Sequence, residues 1–268
     1  MTARRAALAL AVAGCVPGTD FGGTAYRCDV DPTCPDGFVC QGGVCVAPGD
    51  GADDPLIPAG TVVMGCAAGA GCAADAQPEH EVTVAAFAID RTEVTEADYA
   101  ACVAEEGCDP VAGAGQAADL PIRGVAWTDA AAFCAWRGAR LPTEAEWERA
   151  ARGSDARRFP WGGDDASCAR AALAGCASEP VAVGSLDGDG PFGTADLVGN
   201  VAEWVADYYQ SDYYAQAPAS NPSGPTSGGE RVIRGGSYLD AAADTSAWAR
   251  RHADPLNPQP DVGFRCAD

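Results

Sequence analysis

The chain contains no lysine, so all of its positive charge rests on arginine. Seventeen arginines face 38 aspartates and glutamates, which leaves a net charge of −21. Nucleic acid demands a basic surface, so that class of partner is excluded. Electrostatic docking on anionic lipid is excluded for the same reason. There are only two histidines, His80 and His252, in unrelated segments. A three-histidine metal centre therefore cannot be built. Long hydrophobic runs are missing too. Ala6 to Ala13 is a continuous apolar run, well short of the about 20 residues a membrane-spanning helix needs, and no later segment approaches that length. No internal repeat is visible.

Cysteine, by contrast, is abundant: thirteen residues, spread in short-spaced pairs, which suits an oxidising compartment. The N-terminus agrees. Arg4 and Arg5 precede the apolar run, as in an export signal over residues 1–14. Val12-Ala13-Gly14-Cys15 resembles a bacterial lipobox, which makes Cys15 the lipidated N-terminus of a protein anchored in the cell envelope. In this reading the acyl chains are the only contact with membrane. An ordinary secreted protein cut nearby is the competing reading. Residues 15–27 form a tether. Residues 28–47 hold Cys28, Cys34, Cys40 and Cys45 among Pro, Gly and Asp. So short a stretch cannot build a core, and two disulfides must replace it. Their connectivity stays open among three possibilities. Zinc is a poor alternative, because this stretch has no Cys-x-x-Cys pair and no nearby His. Residues 48–55 are a linker, and 56–268 form the main domain.

Within that domain Ile57 to Gly65 predicts a strand, and His80 to Ile89 alternates as a half-buried strand does. Thr95 with Asp98 predicts a capped helix start. Thr128 predicts another, and Thr143 with Glu146 a third, stopped at Gly153. Ala145, Trp147 and Ala150 lie along that third helix, with Trp147 as core. Arg231 to Arg234 reads as a buried strand ahead of Gly235-Gly236-Ser237.

The stretch Asp196-Leu197-Val198-Gly199-Asn200-Val201-Ala202-Glu203-Trp204 stands out. Asp196 and Glu203 offer hard carboxylate oxygens, and Gly199 permits a tight turn that can aim carbonyls at the same point. Such a set suits Ca2+. The plain alternative is an Asp before a turn and a Glu in a solvated first helical turn.

Taken together, residues 56–266 resemble the formylglycine-generating enzyme family, the sulfatase-modifying factor domains. The resemblance rests on many motifs in one order. Among them are Asp90-Arg91-Thr92-Glu93-Val94-Thr95, Arg140-Leu141-Pro142-Thr143-Glu144-Ala145-Glu146-Trp147, Phe159-Pro160-Trp161-Gly162, Gly199-Asn200-Val201-Ala202-Glu203-Trp204, Arg234-Gly235-Gly236-Ser237 and Gly263-Phe264-Arg265-Cys266. It implies an α+β, modified C-type-lectin-like fold with little regular secondary structure. It also implies one Ca2+ held by Asp196, the carbonyls of Gly199 and Val201, and Glu203. A second family calcium site would need an Asn where Ala172 stands. The resemblance pairs Cys134 with Cys266, and spacing then pairs Cys66 with Cys72, Cys102 with Cys108, and Cys168 with Cys176.

The chemistry departs from the family. Oxidising members hold Cu(I) between two thiolates just after Gly-Gly-Ser, and soft sulfur suits that ion. Asp240 and Thr245 stand at those positions, so copper is not expected. The iron branch of the family needs three histidines and is excluded as well. The expectation is a calcium-stabilised binding or scaffold module for an envelope protein or a small ligand. Its pocket would be lined by Ser237, Asp240, Asp244, Trp248 and Arg250 or Arg251. The alternative is an oxidase, or another enzyme of the same fold with a divergent active site.

Overall fold

The computed structural model describes residues 54–268 and, before them, only the backbone of four short strands, Val16–Pro17, Tyr26–Arg27, Val39–Gln41 and Val44–Val46. The chain divides into two units, Met1–Asp53 and Asp54–Asp268. In the first unit the strands pair antiparallel, with Cys40 in register with Cys45. The expected lipid on Cys15 and the pairing of Cys28, Cys34, Cys40 and Cys45 lie outside the described residues.

The second unit is built around one sheet. Its strands are β5 (Ala202–Tyr208), β6 (Arg231–Arg234), β7 (Arg250–Ala253) and β8 (Val262–Phe264), in the order β7-β6-β5-β8. β6 is antiparallel to both neighbours, while β8 runs parallel to β5. Both faces of β5 are buried. Trp204 packs with Phe264, Ile233 and Phe133, whereas Val205 packs with Val232, Trp147 and Leu197. Successive side chains on a strand point to opposite faces, so β5 feeds two cores at once.

Helices α1 (Glu96–Ala104) and α2 (Trp127–Trp136) belong to the first core, and α3 (Glu144–Arg152) to the second. Two short ribbons complete the unit. β1 (Leu56–Ile57) pairs with β4 (Phe87–Ala88), and β2 (Gly60–Met64) with β3 (His80–Val84). β2 and β3 lie against α3.

The predicted helix starts hold at two of three places. Thr95 and Asp98 form a capping box on α1, and Thr143 and Glu146 form one on α3. Gly153 ends α3 with φ of 61°, a left-handed angle that glycine tolerates. Thr128 is not a cap, because α2 begins one residue before it, after Ala126. Tertiary contacts decide this. The Trp127 N–H donates to the Pro255 carbonyl at 3.0 Å, and its indole N–H donates to Val205 at 2.8 Å. Asp129 then accepts from the Ala126 N–H. All four disulfides expected in this unit are present: Cys66–Cys72, Cys102–Cys108, Cys134–Cys266 and Cys168–Cys176. Cys134–Cys266 ties α2 to the end of β8.

Candidate functional site

The 196–204 stretch is neither a solvated turn nor a helix start. Asp196 is 5% exposed and Glu203 1% exposed. Asp196, Gly199 and Asn200 all take left-handed backbone angles, with φ of 56°, 87° and 56°. At Gly199 a Cβ would sit 2.5 Å from the Ala172 carbonyl oxygen, so only glycine fits. The resulting loop is a hub. The Asn200 N–H donates to Ala172, its carbonyl accepts from Tyr238, and its side-chain oxygen accepts from the Val181 N–H.

Three buried carboxylates gather here against one guanidinium. Glu203 takes a two-oxygen ion pair from Arg265, with contacts of 2.8 and 2.7 Å, and also accepts the Trp147 indole N–H. Burial, then the charges of Asp196 and Glu203, push the Glu93 carboxyl well above its usual range, with Arg265 acting the other way. Burial also raises the Asp196 carboxyl. One Glu93 oxygen, Oε2, is buried without a partner. Among the described residues the carbonyls of Gly199 and Val201 accept no hydrogen bond either. No three His, Cys, Asp or Glu side chains among the described residues are placed to hold a metal by themselves. A cation here would therefore depend on the carbonyls as well. Hard carboxylate and carbonyl oxygens, in excess over positive charge, are the donor set Ca2+ takes. The Ala172 carbonyl is used within the hub, and Ala172 supplies no side-chain oxygen.

The five expected pocket residues do not form one pocket. Arg250 and Arg251 are consecutive in β7, and strand alternation sends them to opposite faces. Arg251 joins Ser237 and Asp240, together with Asp261, which sequence reasoning missed. Arg251 Nη1 lies 3.0 Å from Asp240 and 2.8 Å from Asp261. The Ser237 hydroxyl bridges the same two carboxylates at 3.0 and 2.8 Å. Burial alone would raise the Asp261 carboxyl, but Arg251 and Ser237 hold it below its usual range. Thr245 is buried beside Gly236, with its hydroxyl on the Ala242 carbonyl. Asp240 and Thr245 thus both present oxygen, and Arg251 already neutralises the Asp240 carboxylate.

Arg250 faces the other way and binds Glu144 through Nε at 2.7 Å and Nη2 at 3.0 Å. With Asp244 and Trp248 it lines a separate cavity of about 160 Å³. Nothing in the local sequence marks Asp261, which sits beyond a proline-rich loop. The alternation of β7 was the available signal for separating Arg250 from Arg251.

This architecture defines a class: an α+β domain of few helices and short strands, stapled by disulfides, with an oxygen-lined site after a Gly-Gly-Ser turn. Residues 47–268 match the family of sulfatase-modifying factor enzyme 1-like domains, and the chain belongs to that family. It is 34% identical to the formylglycine-generating enzyme of Streptomyces coelicolor, over 79% of this chain and 88% of that protein. The mouse protein named inactive C-alpha-formylglycine-generating enzyme 2 is also 34% identical, over 59% of this chain and 52% of its own length. Among solved structures, PvdO from Pseudomonas aeruginosa superposes with a TM-score of 0.69 at 28% identity, covering 79% of this chain and 92% of that one. The fold is that of the formylglycine-generating enzymes.

Proposed function

We propose that this domain is a non-oxidising binding or scaffold module of the family, stabilised by Ca2+ and held at the cell envelope through Cys15. The observation that carries the reading is the fate of sulfur. Asp240 and Thr245 occupy the thiolate positions, and every cysteine of residues 54–268 is tied into a disulfide. A Cu(I) centre needs two thiolates, and this domain has none to offer. A relative in the mouse is itself named inactive. Anchoring rests on the lipobox-like Val12-Ala13-Gly14-Cys15 behind an apolar run.

The test is a Cu(I) titration of the purified mature protein against a chromophoric chelator. A thiol count on denatured, unreduced protein and an oxidase assay on a Cys-x-Pro-x-Arg peptide accompany it. The expected outcome is no copper retained against the chelator, no free thiol in the 54–268 domain and no aldehyde product. Tight copper binding or turnover of the peptide would end the reading.

For calcium, Asp196, Glu203 and the Gly199 and Val201 carbonyls would hold the ion, which would offset the surplus of buried carboxylate charge. A ligand at about a hundred times its Kd stabilises by about 2.7 kcal/mol. In a domain of this size that corresponds to roughly 5–10 °C in Tm. Chelator should lower Tm by that amount, and elemental analysis should find one calcium per chain. An unchanged Tm with no calcium found would remove the site.

A further inference from the structure

We propose that the cavity between α1 and the 109–115 loop binds a primary alkylammonium, with its ammonium at the free oxygen of Glu96 and its methylene chain between helix and loop. The site shares no residue with the 196–204 stretch or with the Ser237–Asp240–Asp261–Arg251 cluster. It therefore stands apart from the non-oxidising reading and does not depend on it.

The walls come first. The cavity measures about 230 Å³ and is lined by Glu96, Tyr99, Ala100, Val103, Pro110 and Val111. At roughly 30 Å³ for each water-sized group it holds about seven or eight of them, well under the about 300–1,000 Å³ of pockets for drug-sized ligands. A five-carbon amine is of that size. Both walls are fixed before any ligand arrives. The Tyr99 ring stacks on Phe133 at 5.7 Å, and its hydroxyl donates to the Asp109 carbonyl at 3.1 Å. The Cys102–Cys108 disulfide ties the start of the loop to α1. Beyond the loop, the Leu120 and Ala118 carbonyls accept the Glu96 and Ala97 N–H groups. A cavity held this way loses little freedom when it is filled.

Glu96 selects the ligand. It is 6% exposed, and its two oxygens are treated differently. Oε2 accepts three backbone N–H groups, from Gly115 at 2.9 Å, Gln116 at 2.6 Å and Ala117 at 3.1 Å. Oε1 accepts none among the described residues, yet it is not sealed from solvent. The other lining side chains are apolar, apart from the Tyr99 hydroxyl already spent on Asp109. A purely apolar ligand would strip water from Oε1 and return no hydrogen bond. An anion would be repelled. A metal ion would find one oxygen where it takes about six. A guanidinium would lose its two-oxygen grip, because Oε2 is already filled. An ammonium is a compact charge that needs one oxygen, and its apolar stem suits these walls.

The surroundings favour the same charge. Between Glu96 and Asp119 the chain carries six carboxylates, Glu96, Asp98, Glu105, Glu106, Asp109 and Asp119, and no arginine. No cation lines the cavity. Such a one-signed field draws a cationic ligand in. The chain has no lysine, so neither it nor a second copy of it has a lysine side chain to place there. The alkylammonium comes from a different molecule, as a free amine or as the lysine side chain of a partner.

The experiment is an NMR titration of the mature protein with n-pentylamine at pH 7, up to about 20 mM, a concentration that reveals millimolar binders. The amide signals of Gly115, Gln116 and Ala117, which donate to Glu96, should shift and saturate. Pentan-1-ol has the same stem without the charge and should bind about tenfold more weakly or worse. Pentanoate should not bind. Nα-acetyl-lysine N-methylamide separates the two sources. Binding as tight as that of pentylamine assigns the cavity to a lysine side chain of a partner, and binding of pentylamine alone assigns it to a free amine. Glu96→Gln keeps an acceptor for the three N–H groups but removes the charge, and should weaken pentylamine binding about tenfold or more. Ala100→Leu fills the cavity from an exposed position of α1 with a good helix former, leaves the Glu96 contacts untouched, and should abolish binding. No saturable shift of these amides with pentylamine overturns the proposal. So does pentan-1-ol binding as tightly as the amine, or wild-type affinity in either variant.

Discussion

Glu148→Gln lowers the stability of the 54–268 domain by about 3–5 kcal/mol, the cost of breaking a buried ion pair from one side. Glu148 is fully buried on α3. Its Oε1 accepts the Gly65 N–H at 2.7 Å and Arg152 Nη1 at 2.8 Å, and its Oε2 accepts Arg234 Nη2 at 2.8 Å. The substitution preserves shape but removes a negative charge from a network in which Arg152, Arg234 and Arg250 pair with Glu144 and Glu148. It also turns an amide N–H2 toward one of the two guanidiniums, which can only donate. Arg152 and Arg234 are buried as well, so water cannot make good the loss.

The contrast is Asp155→Asn, which breaks the Asp155–Arg157 pair at 2.6 Å on the surface. Solvent screening limits that change to within roughly 0.5–1 kcal/mol. Urea denaturation of both variants, with m-values compared, checks the claim. Equal midpoints for the two would mean that the network's charge balance does not hold this domain together.

The helix that carries this network shows what a sequence reveals and what it conceals. Its start was legible because Thr143 and Glu146 are local to each other, and a capping box needs only four residues. Trp147 was legible as core from its chemistry. The roles of Glu144 and Glu148 were not. Glu-Ala-Glu-Trp-Glu-Arg-Ala-Ala-Arg reads as a helix with one apolar stripe and a charged, wet remainder. In the structure Glu146 alone of these nine residues is not buried. The partners that make burial of the others tolerable, Arg234 and Arg250, lie 90 and 106 residues away.

The same distinction runs through the candidate site. The left-handed turn at Gly199 and the carboxylates flanking it were visible. Arg265, which neutralises Glu203, and Glu93, which adds a third carboxylate, come from other ends of the chain. The expected single pocket failed because its members divide between two places: Ser237 and Asp240 gather at Arg251, whereas Asp244 and Trp248 line the cavity beside Arg250. Short-range disulfides were readable from spacing. The one long-range disulfide was readable only through the family resemblance.

That long-range disulfide carries the second large effect. The Cys134→Ala/Cys266→Ala variant should lose about 4–5 kcal/mol, because the bond closes a loop with a sequence separation of 132 residues. Removing Cys168–Cys176, with a separation of 8, should cost only about 2–3 kcal/mol by the same chain-entropy argument. The difference has a structural side. β8 joins the sheet as a parallel edge strand beside β5, with no hairpin to hold it there. The residues just after it do two tasks. The Cys266 N–H donates to the Asp90 carboxylate at 2.8 Å, and Arg265 provides the two-oxygen ion pair to Glu203.

Releasing Cys266 from α2 therefore loosens Arg265, the one cation among the described residues that faces Glu93, Asp196 and Glu203. The double variant should unfold at markedly lower urea than the Cys168→Ala/Cys176→Ala control. If the two variants unfold at the same midpoint, loop closure is not what the bond contributes, and the edge strand is held by β5 and the core alone.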